Sequence, residues 1–229
     1  MAANLILIKH AMPILDANKP AREWRLGTEG EEQARELARD LRPRLPFTLV
    51  CSEEPKASRT AEIIAAELGI EYRSVAGLEE LDRPALPIVD EAEHERINRS
   101  VFDDPSRAAL GRESADDARE RFSAALGGEL EELEDDANLV VITHGTVMAL
   151  FTAAHSPVDS WKLWKRLACV DLVEFELPRL RSSSRSSIAT RPPRRHSFSL
   201  AAPKAASRSA FWRVIRSITP VFPRTNIAS

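Results

Sequence analysis

Three short runs of apolar residues, each followed at once by a polar or charged group, constrain this chain most. They are Asn4-Leu5-Ile6-Leu7-Ile8, Phe47-Thr48-Leu49-Val50-Cys51 and Asn138-Leu139-Val140-Val141-Ile142-Thr143. Runs this short and this continuous suit strands covered on both faces, which is the condition of a parallel sheet. A fourth stretch, Cys169-Val170-Asp171-Leu172-Val173-Glu174-Phe175, alternates instead and reads as a strand nearer the edge. Helical stripes lie between the runs. Thr28 and Glu31 are spaced as a capping box, followed by Ala34, Leu37, Ala38 and Leu41. Pro55 suits a first helical turn, and Ala57, Ala61, Ile64, Ala65 and Leu68 continue the stripe behind it. Ser114 to Glu134 forms a third helical stretch, weakened by Gly127-Gly128. Strands alternating with helices predict an α/β fold, a three-layer α/β/α sandwich around a mostly parallel central sheet.

Charge divides the chain. Residues 178–229 hold eleven Lys or Arg and no Asp or Glu, whereas residues 1–177 hold 21 basic and 35 acidic residues. The whole chain of 229 residues sums to a net charge of −3, which conceals the split. We expect a folded unit over 1–177 and a basic, Ser/Arg-rich tail over 178–229. The tail has too little apolar material to offset chain entropy and is expected to be disordered. Two cysteines, Cys51 and Cys169, do not make a disulfide framework. No apolar run approaches the roughly 18 residues of a membrane span, and the first strand is cut by Lys9 and His10 before it resembles a signal peptide. The expected setting is cytoplasmic.

Chemistry gathers where the apolar runs end. Lys9-His10 follows the first, His144-Gly145-Thr146 follows the one ending at Thr143, and Ser52 follows the second. In an open α/β sheet, residues leaving the carboxyl ends of parallel strands converge on one crevice. Two histidines and nearby lysines allow two readings. A metal site lacks His-x-x-x-His or Cys-x-x-Cys spacing, and the lysines would repel a cation. An anion site suits them better: an imidazole nitrogen attacks phosphorus well, and positive neighbours ease that attack. No metal and no cofactor is expected. Asp82 to Arg112, with three prolines and no sustained pattern, reads either as a substrate-facing lid or as a solvated helical loop. His94 and His155 have no motif around them, and Trp161 and Trp164, three apart, favour one packed helix face.

These blocks resemble the histidine phosphatase superfamily, also called phosphoglycerate mutase-like. Leu7-Ile8-Lys9-His10-Ala11-Met12-Pro13 is similar to its R-H-G or R-H-A opening, and Trp24-Arg25-Leu26-Gly27-Thr28-Glu29-Gly30 to its W-x-L-T-x-x-G block. Ser52 to Ala61 resembles its S-x-x-x-R-A-x-Q-T-A segment, Leu78-Glu79-Glu80 its L-x-E element, Glu113-Ser114 its E-S helix start, and Val140 to Gly145 its V-x-x-H-G. Their order and spacing span residues 4 to about 177.

The resemblance implies a phosphatase that hydrolyses a small phosphomonoester through a phosphohistidine. His10 would be the nucleophile. Lys9, Lys56 and His144 would surround the phosphate oxygens, and Glu80, selected over Glu79 by the L-x-E register, would protonate the leaving oxygen. Lys9 and Lys56 stand where the family has arginine, which keeps the charge but loosens the geometry. Arg59 replaces the usual glutamine, three residues after Lys56, and is expected to compensate in part as a phosphate-binding group. A mutase-like phosphotransferase and a catalytically weakened phosphate-binding or regulatory protein are the alternatives. For the tail, contact with nucleic acid or an acidic partner, a membrane-surface segment around Phe211 to Ile218, and absence of function all stand open. Neither the substrate nor the oligomeric state is legible.

Overall fold

In the computed structural model, residues 3–84, 91–134, 137–177 and the strand at 216–218 are described. The first apolar run forms β1 (Asn4–Lys9), the second β2 (Phe47–Cys51), and the third β4 (Asn138–Thr143); the two-residue β3 is Arg73–Ser74. The alternating stretch contributes β5 (Leu172–Glu176), and β6 is Arg216–Ile218. Together they make one six-stranded sheet in the order β3-β2-β4-β1-β5-β6. β1 to β4 run parallel, while β5 is antiparallel to β1 and β6 to β5.

Burial on both faces explains why the runs are unbroken. Ile6, Ile8, Leu49, Cys51, Val140 and Ile142 point to one layer, against Leu37, Ala38 and Leu41 of α1 (Thr28–Leu41) and Ala57, Ala61 and Ile64 of α2 (Pro55–Leu68). Their sequence neighbours Leu5, Leu7, Val50, Leu139 and Val141 point to the other. There they meet Phe122, Leu126 and Leu130 of α4 (Ala115–Glu132), Val147 to Phe151 of α5 (Gly145–His155) and Leu163 of α6 (Ser160–Arg166). The side-chain period of two thus feeds both layers, and the sandwich is three-layered as expected.

Helix ends show where local sequence was and was not decisive. Ser114 caps α4, accepting from the Asp117 N–H at 3.1 Å. Gly127-Gly128 does not break α4, although each glycine costs about 1 kcal/mol against alanine. Buried Phe122, Leu126 and Leu130, each contributing about 1.5–3 kcal/mol, outweigh that cost. The Thr28–Glu31 capping box does not form. Thr28 is already inside α1, Gly27 is the N-cap without a side-chain bond, and the Glu31 carboxylate is drawn instead to Arg59 and Arg35.

Within the Asp82–Arg112 excursion lies a helix, α3 (Glu91–Asp103), packed on α6. Phe102 meets Trp161 and Trp164 at centroid distances of 5.5 and 6.0 Å, and the two tryptophans stack on each other at 5.1 Å. Trp161 and Trp164 therefore share one packed face, as their spacing predicts. No described helix is long and apolar enough to cross a membrane. The expectation of a disordered tail falls outside the described residues, except at β6, where Phe175 pairs with Ile218 and Glu176 with Arg216.

Candidate active site

Register brings the two histidines together. Lys9 of β1 lies opposite Thr143 of β4, so the next residue on each strand, His10 and His144, emerges side by side. The His10 N–H donates to the Thr143 carbonyl at 2.9 Å, and the Ser52 N–H beyond β2 donates to that of Ile142 at 3.0 Å. Three carboxyl ends of parallel strands thereby open on one crevice, with the His10 and His144 rings 5.2 Å apart and tilted 59°. Behind His10, the Ala11 N–H donates to the Thr60 hydroxyl at 3.1 Å, which itself donates to the Lys56 carbonyl. Gly30 lets α1 approach the same loop, since a Cβ there would overlap the Met12 carbonyl.

His10 is buried, and its Nδ1 lies 2.8 Å from the Ala11 carbonyl. A carbonyl accepts only, so Nδ1 carries the proton and Nε2 keeps the lone pair of a neutral ring. Burial holds the ring's pKa well below 6.5, helped by His144, Lys56 and Lys9; the Ala11 carbonyl opposes this. His144 is also pushed well below its ordinary value, first by burial and then by Lys56, while Glu80 pulls upward. Its Nε2 lies 2.8 Å from the Ser52 hydroxyl, which already accepts from the Glu54 N–H. A hydroxyl can accept twice and donate once, so this contact fits either tautomer of His144, whose Nδ1 is buried without a partner among the described residues. A buried polar nitrogen left unmet costs about 1–3 kcal/mol unless a partner arrives.

Glu80 stands at the N-terminus of α5. Its carboxylate accepts from the Thr146 and Val147 N–H groups at 3.0 and 3.3 Å and from Leu81 at 2.9 Å. Glu79 turns elsewhere, accepting from Gly77 and facing Arg121 at 3.6 Å. Arg121 was not singled out from sequence, yet it clamps this loop. It donates to the carbonyls of Gly77, Glu79 and Glu80 and takes Glu113 through two nitrogens, both at 2.8 Å. Nothing in the sequence distinguished it from the other charges of α4.

The two lysines reach the crevice from opposite sides. The Lys9 ammonium donates to the Leu167 carbonyl at 2.8 Å, its stem passing over Gly145. The Lys56 ammonium is buried, donates to the Ala21 carbonyl at 2.8 Å and pairs with Glu54. Glu54, also missed from sequence, is buried as well; its second oxygen accepts from the Glu80 N–H at 2.9 Å and lies 3.6 Å from His144. Arg59 is not brought to this group. Its guanidinium is half exposed and held by Glu31 at 2.7 and 3.0 Å and by Glu62 at 2.9 Å. His94 packs on Trp164, and His155 on Phe151.

Two neutral imidazoles and two ammonium groups make this crevice a candidate anion site. Residues 5–184 match the model of the histidine phosphatase superfamily (branch 1), and the chain belongs to that superfamily. Its fold is similar to a mycobacterial glucosyl-3-phosphoglycerate phosphatase solved with VO3, at 19% identity and a TM-score of 0.64, covering 77% of this chain and 92% of that one. It is also similar to a phosphoserine phosphatase mutant from Entamoeba histolytica in complex with phosphoserine, at 17% identity and a TM-score of 0.62, covering 77% and 91%. No curated protein matches the chain.

Proposed function

We propose that this chain is a phosphomonoester hydrolase working through a phosphohistidine on His10, in an R-H-A-like subgroup where Lys9 replaces the arginine. The observation that carries the reading is the His10 ring, whose Nδ1–H is fixed on the Ala11 carbonyl so that Nε2 is left as a neutral nucleophile. Nε2 attacks phosphorus and the ester P–O bond breaks. The departing oxygen takes a proton from the Glu80 carboxyl. Water then gives a proton to Glu80 and attacks phosphorus, the P–N bond breaks, and phosphate leaves. Lys9 and Lys56, with His144 beside them, face the phosphoryl oxygens, and the two ammonium groups oppose the charge that builds on them. Arg59, held by Glu31 and Glu62, is left out of this set.

A second reading is a weakened phosphate-binding protein, favoured by the commitment of Lys56 to Glu54 and of Lys9 to the Leu167 carbonyl. Removing one well-placed donor costs about 10²–10³ in rate. Labelling with a panel of phosphoesters, quenched in alkali, separates the two. Turnover with an acid-labile, alkali-stable phosphoryl adduct that vanishes in His10→Ala supports the hydrolase. No turnover and no adduct with any ester of the panel would leave the binding reading.

A further inference from the structure

Glu54 puts a carboxylate where the phosphate site needs cations. It is buried, ion-paired with Lys56, 3.6 Å from His144 and bonded to the Glu80 N–H. An ammonium has three donors, and Lys56 already directs two of them, to Glu54 and to the Ala21 carbonyl. With both imidazoles neutral, the crevice sets two ammonium groups, Lys9 and Lys56, against two carboxyl groups, Glu54 and Glu80. Arg121 lies behind Glu80 and is itself neutralised by Glu113. A tetrahedral dianion arriving here meets no net positive charge and a fixed anion beside its best cation.

We propose that Glu54 competes with the phosphate group for the Lys56 ammonium, so that a tetrahedral dianion binds together with a proton taken up by the Glu54 carboxylate. This rests on reading the crevice as an anion site, and it adds a regulator to that site. Lys56 turns from Glu54 to the incoming oxygen, and the proton removes the repulsion that the uncovered carboxylate would exert. Affinity for the dianion then rises as pH falls. The groups around Glu54 leave three other acceptors for such a proton, Glu80 next to it, His144 directly and His10 behind it, and the experiment must tell them apart.

Sulfate is the probe, because it stays a dianion from pH 5.5 to 8. Calorimetry in buffers of different ionisation enthalpy counts the protons taken up per sulfate. Wild type is expected to take up close to one, with affinity falling about tenfold per pH unit. In Glu54→Gln the uptake disappears and affinity at pH 7.5 rises by about tenfold or more. Uptake that persists in Glu54→Gln assigns the proton to Glu80 or to a histidine and overturns the proposal. Infrared difference spectra with and without sulfate add a direct readout: a new protonated-carboxyl band is expected in wild type and not in Glu54→Gln, and its absence from wild type or its persistence in Glu54→Gln overturns the proposal equally. Sulfate bound at every pH with no proton uptake sinks this inference alone. Sulfate bound by neither protein at any pH removes the anion site, and the hydrolase reading with it.

Discussion

The His10 and His144 rings, 5.2 Å apart, stand at the ends of two adjacent parallel strands, and burial with His144 beside it keeps His10 from taking a proton. One buried imidazolium would tolerate no second beside it, with Lys9 and Lys56 adding to the repulsion. The same proximity therefore also keeps the proposed nucleophile, His10, neutral.

The first prediction concerns pH and rate. In the proposed reaction the neutral His10 ring is the reactive form, and its pKa lies well below 6.5, chiefly through burial. As pH falls through 6.5, kcat/KM is expected to persist, with its acid limb displaced below that value. The pH dependence of kcat/KM reports the free enzyme and is the measurement to make. An acid limb centred at 6.5 or above would refute the assignment of His10 as a pre-neutralised nucleophile.

Stability should show the same histidine with a defined sign. A ring that is neutral when folded and titrates near 6.5 when unfolded makes the unfolded state bind more protons below that pH. Stability is then complete above 6.5 and is lost as pH falls from 6.5 toward the depressed folded value. Each such ring contributes a slope of up to about 1.4 kcal/mol per pH unit in that window. Urea unfolding of His10→Gln beside wild type, between pH 6.5 and 5, should show the slope reduced by about that amount. An identical slope would mean that His10 is not held neutral.

Arg121 is predicted to matter as a positioning residue. Its guanidinium fixes the carbonyls of Glu79 and Glu80 and pairs with Glu113, so it sets where the Glu80 carboxyl stands. Arg121→Met should destabilise the fold by about 2–3 kcal/mol, the scale of losing charged hydrogen bonds in a half-buried place. It should also lower kcat more than it raises KM. Arg121→Lys keeps the charge without the fork and should recover much of the stability but little of kcat. Equal losses in kcat and in folded fraction would reduce Arg121 to a structural role.

What the sequence made legible follows from how local each determinant is. β1, β2 and β4 were legible because strands buried on both faces carry almost no polar interruption, Thr48 of β2 apart, and the two histidines because each directly follows such a strand. Glu54 was not, since Glu53-Glu54 reads as solvated charge until the turn before α2 folds one of the two inward. Arg121 was hidden among the alternating charges of α4. The Thr28–Glu31 spacing misled because Glu31 finds Arg59, 28 positions away, and a tertiary ion pair displaced the local bond. Arg59 was read three residues from Lys56 as a neighbour in the site, but that step around α2 turns it toward α1.

Gly30 supplies the last prediction. It sits in the first turn of α1 where the chain after His10 crosses, and a methyl group there would overlap the Met12 carbonyl oxygen and crowd the Leu26 side chain. Backbone cannot yield as a flexible side chain can, so Gly30→Ala must move α1 or the Ala11–Pro13 segment. In helix propensity alone alanine should gain about 1 kcal/mol. The overlap should cost about 1–3 kcal/mol, leaving a net loss or near balance. The more telling effect falls on His10, because displacing the segment shifts the Ala11 carbonyl that fixes the Nδ1 proton. Gly30→Ala is therefore expected to lower the rate of phosphoenzyme formation more than it lowers the unfolding midpoint, and rapid-quench labelling beside urea unfolding measures both. Full labelling rate in a stably folded Gly30→Ala would show that the close approach of α1 does not position the nucleophile.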